Sequence, residues 1–265
     1  MRLLLTNDDG VGARGLAALA EHVGDLGDVT IVAPDTERSA VGHAITLSDP
    51  LRVSEYDHPT GLKAYSVSGT PADCVKIAVR ALLKSPPDIV LSGINQGANL
   101  GTNVLYSGTV SAATEAAMLG IASAAFSLAD PHHDDFAPAA AFARRLAVEI
   151  HQRGLPGGVS LNVNIPPLPG SDIRGVAVTR QGRIRVLEWF DRRTDPRNNT
   201  YYWMAGENTL DEAQDGSGAD DAAVREGLIS VTPLHYDLTA GEVLKEIGEW
   251  DLGDGTFSPP RYPNK

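Results

Sequence analysis

The chain has 265 residues, of which 42% are hydrophobic and 21% charged, so it is long enough to bury a large core in one or two α/β domains. Its 22 basic and 34 acidic residues give a formal net charge of −12, which disfavours a nucleic-acid polymer as partner because little would neutralise its phosphates. A small phosphate ligand stays compatible with this charge if a metal ion or a helix N-terminus supplies local positive charge.

Cysteine content and hydropathy bear on the cellular compartment. Cys74 is the single cysteine, which excludes an internal disulfide and a thiolate zinc cluster. No segment approaches the roughly 20 apolar residues of a membrane-spanning helix, and the first residues lack the charged and apolar regions of a secretion signal. We therefore expect a cytoplasmic protein that does not bind a membrane.

The N-terminal part alternates strand and helix patterns. A strand pattern at RLLLT leads to the amphipathic helix pattern ARGLAALAEHV and a second strand pattern at DVTIVAP, which together predict a βαβ unit. HAITLSDPLRVSEYD and KAYSVSG predict additional strands. In TPADCVKIAVRALLK, Thr70 is a predicted N-cap, Pro71 stands at the first helical position and Asp73 lies in the first turn.

The alternation continues to about residue 170. The continuous apolar run PDIVLSGI predicts a strand buried on both faces, as in a parallel sheet covered by helices. The glycine-rich loop NQGANLGTNVLYSG leads into a predicted helix at TVSAATEAAMLG. Strand, helix and strand patterns follow at ASAAFSL, FAPAAAFARRLAVEIHQR and GVSLNVNIP. The sequence therefore predicts an α/β core with a mostly parallel sheet across residues 1–170.

The pattern changes in residues 171–265. IRGVAVTRQGRIRVLEWFDRR and NNTYYWMAGE predict extended ribbons that concentrate aromatic side chains, namely Trp189, Phe190, Tyr201, Tyr202 and Trp203. TLDEAQDGSGADD predicts an acidic loop, EGLISVTPLHYDLT predicts a strand, and the tail is polar. We expect a return segment at about 219–250 to pack on the core. The aromatic ribbons either form subunit contacts or pack on their own domain, and the sequence leaves both interpretations open.

Four oxygen-bearing side chains follow three of the predicted strands: Asp8 and Asp9 after the first, Ser39 after the second, and Asn95 after PDIVLSGI. Open parallel sheets bind ligands at the carboxyl ends of their strands, so these side chains are candidates for one site. Carboxylate, hydroxyl and amide oxygens suit Mg²⁺, Mn²⁺ or Ca²⁺ better than zinc. The alternative is that one aspartate caps the following helix while the other is solvated.

A second candidate element is the start of the helix at TVSAATEAAMLG. The backbone N–H groups and hydroxyls of Ser107, Gly108 and Thr109, with the helix dipole, are suited to bind an oxyanion. An ordinary helix cap is the alternative. His43 lies close enough to Ser39 to approach the same site, or else forms a local hydrogen bond. The chain contains no P-loop, GxGxxG or nucleophile-elbow sequence, which counts against the enzyme classes that use them.

Several segments together resemble one known family. LLTNDDG, APDTERSAVGHAIT, SGTPADCV, DIVLSGINQGANLG, YSGTVSAATEAAMLGI and EGLISVTPL are spread over most of the chain. In this order they resemble the SurE family, the survival-protein E phosphatases that act as 5′- and 3′-nucleotidases. The resemblance is most specific at TNDDG, SGINQGANLG and YSGTV and least specific in the C-terminal third.

The resemblance implies a site. Asp8, Asp9, Ser39 and Asn95 would be the ligands of one divalent metal ion per subunit. The phosphate pocket would be formed by Asn95, Ser107, Gly108 and Thr109.

It also implies an architecture and an assembly. The fold would be a Rossmann-like core with helices on both faces, and β-hairpin extensions between residues 173 and 206 would join subunits into a homodimer or homotetramer. Asn103 and Ser111 depart from the family pattern, in which Asp and Gly are usual. We expect these two positions to affect substrate preference more than activity.

The implied reaction is hydrolysis of nucleoside monophosphates. Either Asp8 or Asp9 would activate water as general base, and we favour Asp8. One alternative is a non-catalytic nucleotide sensor with the same fold. Another is a phosphatase that forms an aspartyl-phosphate intermediate, although such enzymes typically separate their two aspartates by one residue whereas Asp8 and Asp9 are adjacent.

Overall fold

The computed structural model describes residues 1–183, 185–209 and 218–250. The strands in these ranges are β1 (Arg2–Thr6), β2 (Asp28–Pro34), β3 (Val53–Asp57), β4 (Lys63–Val67), β5 (Ile89–Gln96), β6 (Ala122–Leu128), β7 (Val159–Ile165), β8 (Gly175–Val178), β9 (Arg185–Thr194), β10 (Thr200–Thr209) and β11 (Leu228–His235). The α-helices are α1 (Arg14–Val23), α2 (Pro71–Ile77), α3 (Gly108–Met118), α4 (Ala137–Arg153), α5 (Asp220–Arg225) and α6 (Leu244–Gly248). A π-helical turn at Ala78–Leu82 continues α2, and 3-10 turns lie at Gly101–Leu105 and Gly241–Val243.

Nine strands form one sheet in the order β3-β4-β2-β1-β5-β6-β7-β11-β8. All strand pairs from β4 to β7 are parallel. β3 and β11 run antiparallel to β4 and β7, and β8 pairs in parallel with β11. The predicted mostly parallel, Rossmann-like α/β fold is therefore confirmed, and the carboxyl ends of β1, β2 and β5 lie at one edge of the sheet.

Alternating side chains of the central strands divide the core between two faces. Leu3 and Leu5 of β1 pack on one face, in a cluster that includes residues of α1 and α4. Leu4 points to the opposite face, where its cluster includes the buried Cys74 and residues of α2 and α3. Two helices thus cover each face, as continuous apolar strands require.

Helix α2 begins after the cap that the sequence predicts, and helix α3 begins after Ser107, where an ordinary cap was the alternative interpretation. Thr70 Oγ1 accepts a hydrogen bond from the backbone N–H of Asp73 at 3.1 Å, and the Asp73 carboxylate accepts one from the N–H of Thr70 at 3.0 Å. This reciprocal pair is a capping box. Ser107 Oγ accepts from the N–H of Val110 at 3.1 Å. The N-terminus of α3 is therefore fixed directly after β5 and its loop.

The segment before β3 differs from its prediction. The sequence predicts a strand across residues 43–57, but β3 begins at Val53. The backbone N–H of Gly42 donates to Tyr106 O at 3.0 Å, and that of Thr46 donates to the Asp73 carboxylate at 3.1 Å. Because these groups bond to the region around α2 and α3, they do not form a strand ladder.

The C-terminal third contributes to two different structures. β9 and β10 form a separate antiparallel hairpin, whereas β8 and β11 complete the main sheet. The ribbon predicted from residue 173 is thus divided, since its first part is an edge strand. Most of the predicted acidic loop TLDEAQDGSGADD lies outside the described residues, as does the polar tail beyond residue 250, whereas the first part of that tail contains the 3-10 turn at Gly241–Val243 and α6. The domain boundary at residue 170 stays a prediction.

Membrane insertion has no support in the helices. Within the three described ranges, none of them combines the length and apolar character needed to cross a bilayer.

Candidate functional site

The loop after β1 makes a tight turn that brings two carboxylates together. Asn7 is fully buried, and its Nδ2 donates to Gly10 O at 2.9 Å. Gly10 has φ +102°, a conformation that glycine adopts without strain. Val11 N–H then donates to Pro34 O at 2.8 Å, which ties the turn to the end of β2. The turn explains how adjacent residues can share one site although side chains alternate along a strand.

The Asp8 carboxylate is directed into the N-terminus of α3. Its side chain accepts hydrogen bonds from the Thr109 hydroxyl and from the backbone N–H groups of Gly108 and Thr109. Asp8 is only 5% exposed, and burial raises its pKa while these hydrogen bonds act in the opposite direction. A Cβ at Gly108 would lie 2.7 Å from Asp8 Cβ and 2.9 Å from Asp8 Oδ2, so only glycine allows this approach.

Asp9 is held beside the end of β5. Burial, with smaller contributions from the negative charges of Asp8 and Glu37, raises the pKa of Asp9 to about 7, although a hydrogen bond from the backbone N–H of Gln96 acts in the opposite direction. Two neighbouring carboxylates that resist ionisation in this way are suited to bind a cation, which would offset their repulsion.

Asn95 lies where the pairing of β5 with β6 becomes irregular, between Ser92 and Asn95. Its Nδ2 donates to Gly97 O at 2.8 Å. Because the amide nitrogen is engaged in its own loop, the atom that Asn95 offers to a cation is Oδ1.

Ser39 belongs to an irregular loop that contacts the Asp8–Asp9 turn after β1. Arg38 N–H donates to the backbone oxygen of Asp8 at 2.7 Å, so the residue before Ser39 is bonded directly to the carboxylate turn. The exposed Ser39 hydroxyl donates to Glu37 Oε1 at 2.6 Å. The loops that carry Asp8, Ser39 and Asn95 therefore meet at one edge of the sheet.

The predicted oxyanion cradle has an occupant within the chain. Ser107 Oγ caps α3, and the Gly108 and Thr109 amides are directed to Asp8. In this structure the helix N-terminus therefore stabilises the charge of Asp8 itself. Binding of a substrate phosphate by Ser107, Gly108 and Thr109 stays a prediction.

His43 forms the local hydrogen bond that the sequence offered as the alternative. Its Nε2 donates to Glu115 Oε2 at 2.9 Å, and Lys76 Nζ donates to Glu115 Oε1 at 2.6 Å. Burial opposes ionisation of Glu115, but these hydrogen bonds hold the pKa of Glu115 below its usual value. His43 also lines a cavity of about 240 Å³ between α3 and the end of β11, with Ser111 among the other lining residues.

Two acidic residues near the site were not predicted from sequence. Glu37 accepts the Ser39 hydroxyl and influences Asp9 through its charge. Its position two residues before Ser39 was the available signal. Glu115 is 2% exposed and lies in the middle of an alanine-rich helix, where a buried carboxylate is unusual enough to indicate a partner.

The donor set fits a hard divalent cation. All four predicted ligands offer oxygen, and two of them are adjacent carboxylates in a mostly buried turn. Asn7 Oδ1 is a further buried oxygen, without a hydrogen-bond partner among the described residues. Across those same residues, no group of three or more His, Cys, Asp or Glu forms that could hold a metal ion. A cation here would therefore need the Ser39 and Asn95 oxygens as well as the carboxylates.

Together, the fold and the candidate site point to a class: a Rossmann-like α/β protein with a cluster of oxygen-bearing side chains at the carboxyl edge of its sheet, next to a helix N-terminus. Residues 3–188 match the family described as Survival protein SurE. The chain is 51% identical over 252 residues to a protein of Syntrophobacter fumaroxidans named 5′-nucleotidase SurE, covering 95% of this chain and 100% of that protein.

A second relative and a solved structure agree. The 5′-nucleotidase SurE of Thermosynechococcus vestitus is 52% identical over 256 residues, covering 94% of this chain and 96% of that protein. The crystal structure of a SurE protein from Aquifex aeolicus superposes with a TM-score of 0.81 at 42% identity, covering 93% of this chain and 98% of that one. The chain belongs to the SurE family.

Proposed function

We propose that this protein is a phosphomonoesterase that hydrolyses nucleoside 5′- and 3′-monophosphates to nucleoside and phosphate with one divalent cation per subunit. The observation that carries the proposal is the meeting of the Asp8–Asp9 turn with the Ser39 and Asn95 loops and the N-terminus of α3. The names of the relatives, 5′-nucleotidase SurE, support the substrate class. They do not favour a nucleotide sensor or an aspartyl-phosphate enzyme.

Asp8, Asp9, Ser39 and Asn95 would hold the cation, and Mg²⁺, Mn²⁺ and Ca²⁺ are the candidates that match their oxygens. When bound, such an ion neutralises phosphoryl oxygens and offsets the repulsion between the two aspartates.

The chain's own residues supply the proton transfer and part of the charge stabilisation. A water molecule attacks phosphorus and loses a proton to a carboxylate oxygen of Asp8, while the ester P–O bond breaks and its electron pair leaves with the nucleoside oxygen, which takes a proton from solvent. The Thr109 hydroxyl holds the Asp8 carboxylate in one orientation. The phosphate would be bound by Ser107, Gly108, Thr109 and Asn95. These residues lie close to the phosphoryl oxygens, on which negative charge develops during the reaction.

Two residues beside this site are proposed to adjust substrate preference. Asn103 lies in the 3-10 turn just before α3, and the Ser111 hydroxyl donates to Ser107 O at 2.6 Å. Ser111 thus influences the residue that caps α3, although it is not among the proposed ligands.

Assembly and location are also proposals. The exposed aromatic side chains of the β9–β10 hairpin support a homodimer or homotetramer. The single buried cysteine and the acidic net charge support a cytoplasmic enzyme whose partners are small nucleotides, without a nucleic-acid polymer or a membrane.

The test is phosphate release from AMP, 3′-AMP and p-nitrophenyl phosphate by the purified full chain. We expect turnover with added Mn²⁺ or Mg²⁺, loss of turnover with EDTA, and recovery when the ion is returned in excess. Tight AMP binding without turnover under any ion would contradict the proposal and favour a sensor.

A further inference from the structure

Ser39 is carried by a loop without regular structure, residues 36–46, which we call the Ser39 loop. Ser39 is exposed, and its hydroxyl donates to Glu37 of the same loop. Its position relative to Asp8 and Asp9 must therefore be fixed by the residues on either side. On the N-terminal side this is done by Arg38 N–H, which donates to Asp8 O at 2.7 Å.

On the C-terminal side the Ser39 loop is bonded to α2 and α3. Gly42 N–H donates to Tyr106 O at 3.0 Å, one residue before the cap of α3. The His43 imidazole donates to Glu115 Oε2 at 2.9 Å. Thr46 Oγ1 donates to Asp73 Oδ2 at 2.6 Å. Only Ser39, Ala40 and Val41 lie between Arg38 and Gly42. The bonds of Gly42 to Tyr106 and of His43 to Glu115 are therefore the nearest anchor on the C-terminal side of Ser39.

Glu115 gives this anchor its strength. The carboxylate is 2% exposed, and a buried carboxylate is costly unless its oxygens are paired. His43 satisfies one oxygen and Lys76 Nζ satisfies the other, at 2.9 and 2.6 Å. The Lys76 contact joins two helices, whereas the His43 contact joins α3 to the Ser39 loop.

α3 therefore touches two parts of the candidate cation site. Its first residues hold Asp8 through Gly108 and Thr109, and Glu115, in its second turn, holds the Ser39 loop through His43. Thr109 and Glu115 are separated by about 9 Å along the helix axis, at 1.5 Å per residue. A helix is rigid over so short a length. The spacing between Asp8 and Ser39 is thereby set by one element.

We infer that the Glu115–His43 pair is a positioning device that holds Ser39 at the distance from Asp8 and Asp9 needed to capture a divalent cation. This inference rests on the proposed function, because it assumes that Asp8, Asp9, Ser39 and Asn95 bind the ion. In this inference His43 and Glu115 are positioning residues that act through the Ser39 loop, and neither belongs to the proposed ligand set of the ion.

The test measures Mn²⁺ affinity without turnover, from the EPR signal of free Mn²⁺ in titrations of the full chain. His43→Ala removes the side-chain contact with Glu115, leaves the backbone bond of Gly42 to Tyr106 in place, and is expected to weaken Mn²⁺ binding about tenfold, at the lower end of the range for outer-shell substitutions. His43→Gln, whose amide can donate to Glu115, is expected to stay within about twofold of wild type, the small change expected when an outer-shell hydrogen bond is kept. Lys76→Gln is the matched control, because it alters the other partner of Glu115 and leaves the loop contact, and we expect less than about a twofold change.

Each result decides the inference. Wild-type Mn²⁺ affinity in His43→Ala would overturn the inference. It would also be overturned if His43→Gln and Lys76→Gln lost as much Mn²⁺ affinity as His43→Ala, since a general loss of packing would then be the cause. Urea unfolding of each variant verifies that the chain is folded at the titration temperature. If wild type does not bind Mn²⁺, or if Asp8→Asn binds it equally well, the proposed cation site itself fails and the inference fails with it.

Discussion

The carboxyl edge of the sheet and the β9–β10 hairpin differ in which side chains they bury: the edge buries polar groups, whereas the hairpin exposes apolar ones. At the edge, buried polar side chains such as Asp8 and Glu115 find their partners within the chain. On the hairpin, large apolar side chains such as Phe190, Trp203 and Met204 are exposed by 60–64%. The backbone of the hairpin is paired within itself from Arg185 to Thr209.

This difference in burial indicates which kind of ligand or partner each region is suited to bind. A buried carboxylate indicates a need for positive charge or donors, and the edge supplies donors while its paired aspartates still repel. An exposed apolar surface on a ribbon has no core of its own and indicates contact with another surface. Phe190 pairs with Met204 across the ribbon, and Trp203 pairs with Asp191, so apolar groups stand on both faces. The first region is thus suited to a small ionic ligand and the second to a protein surface.

The largest effect is expected from neutralising the buried carboxylate. Asp8→Asn should lower kcat for AMP at saturating Mn²⁺ by about 100-fold or more, because both the ligand charge and the proposed base are lost. Asp25→Asn is the control, since Asp25 is an exposed carboxylate that pairs with Arg144 on the surface, and it should retain wild-type kcat. Wild-type turnover by Asp8→Asn would show that the buried carboxylate is structural.

The close approach of α3 to the carboxylate turn can be tested by adding one methyl group. In Gly108→Ala the new Cβ would meet Asp8 Cβ at 2.7 Å, so the helix or the turn must shift. We expect kcat to fall about tenfold, since small misplacements at reacting centres are costly, and the free energy of unfolding to fall by about 1–3 kcal/mol.

The matched variant is Gly157→Ala, where a new Cβ meets no atom within 4 Å. Steady-state kinetics and urea unfolding of both variants are the measurements. Equal behaviour of the two would mean that the contact at Gly108 does not constrain Asp8.

Asp9 gives a pH-dependent effect on stability in the metal-free protein. Its folded-state pKa of about 7 lies above the unfolded value, so the folded protein binds the extra proton between these two values. Stability contributed by this group is therefore lost as the pH rises from about 4 to 7. Asp9→Asn removes the charge. It should raise the free energy of unfolding by about 2 kcal/mol at pH 8, roughly half of what the full difference between the folded and unfolded pKa gives, because solvent screens this partly exposed carboxylate, and by little at pH 4.

Urea unfolding in EDTA at both pH values measures this difference. A variant that is destabilised equally at both would contradict the assigned cause, because loss of the Gln96 contact and not the charge would then dominate.

Much of the fold could be predicted because its strands and helices carry local signals. RLLLT, PDIVLSGI and the capping sequence at Thr70 each specify their element through apolar pattern or side-chain capping. The first ten residues of HAITLSDPLRVSEYD were wrongly predicted to be part of a strand, because the bonds of Gly42 and Thr46 to distant residues override the local pattern. α5 was not predicted either, and its Asp220 is buried where it accepts hydrogen bonds from Gly101 and Gly182, which no local pattern reveals.

The candidate site was accessible from sequence for a different reason. Its proposed ligands follow strand ends, so topology places them at one edge of the sheet. The direction of each bond was not accessible, since it depends on contacts across the fold. That the amides of Gly108 and Thr109 point to Asp8, and that Glu115 holds His43, follows from how α3 packs beside β5 and α2.

The smallest effect on catalysis, and the sharpest separation of the two regions, is expected from the hairpin. Replacing both Phe190 and Trp203 by Ser removes apolar groups from opposite faces of the ribbon and changes none of the proposed site residues. The molar mass from sedimentation equilibrium should fall to that of a smaller assembly, while kcat for AMP changes by less than about twofold, as for surface substitutions away from a site. Arg197→Ser, in the turn of the same hairpin, is the control and should leave the mass unchanged.

If the double variant keeps the wild-type mass, the hairpin is not a subunit contact, and its exposed aromatic residues need another partner. If kcat falls together with the mass, assembly contributes to the active site, and the two regions are not independent.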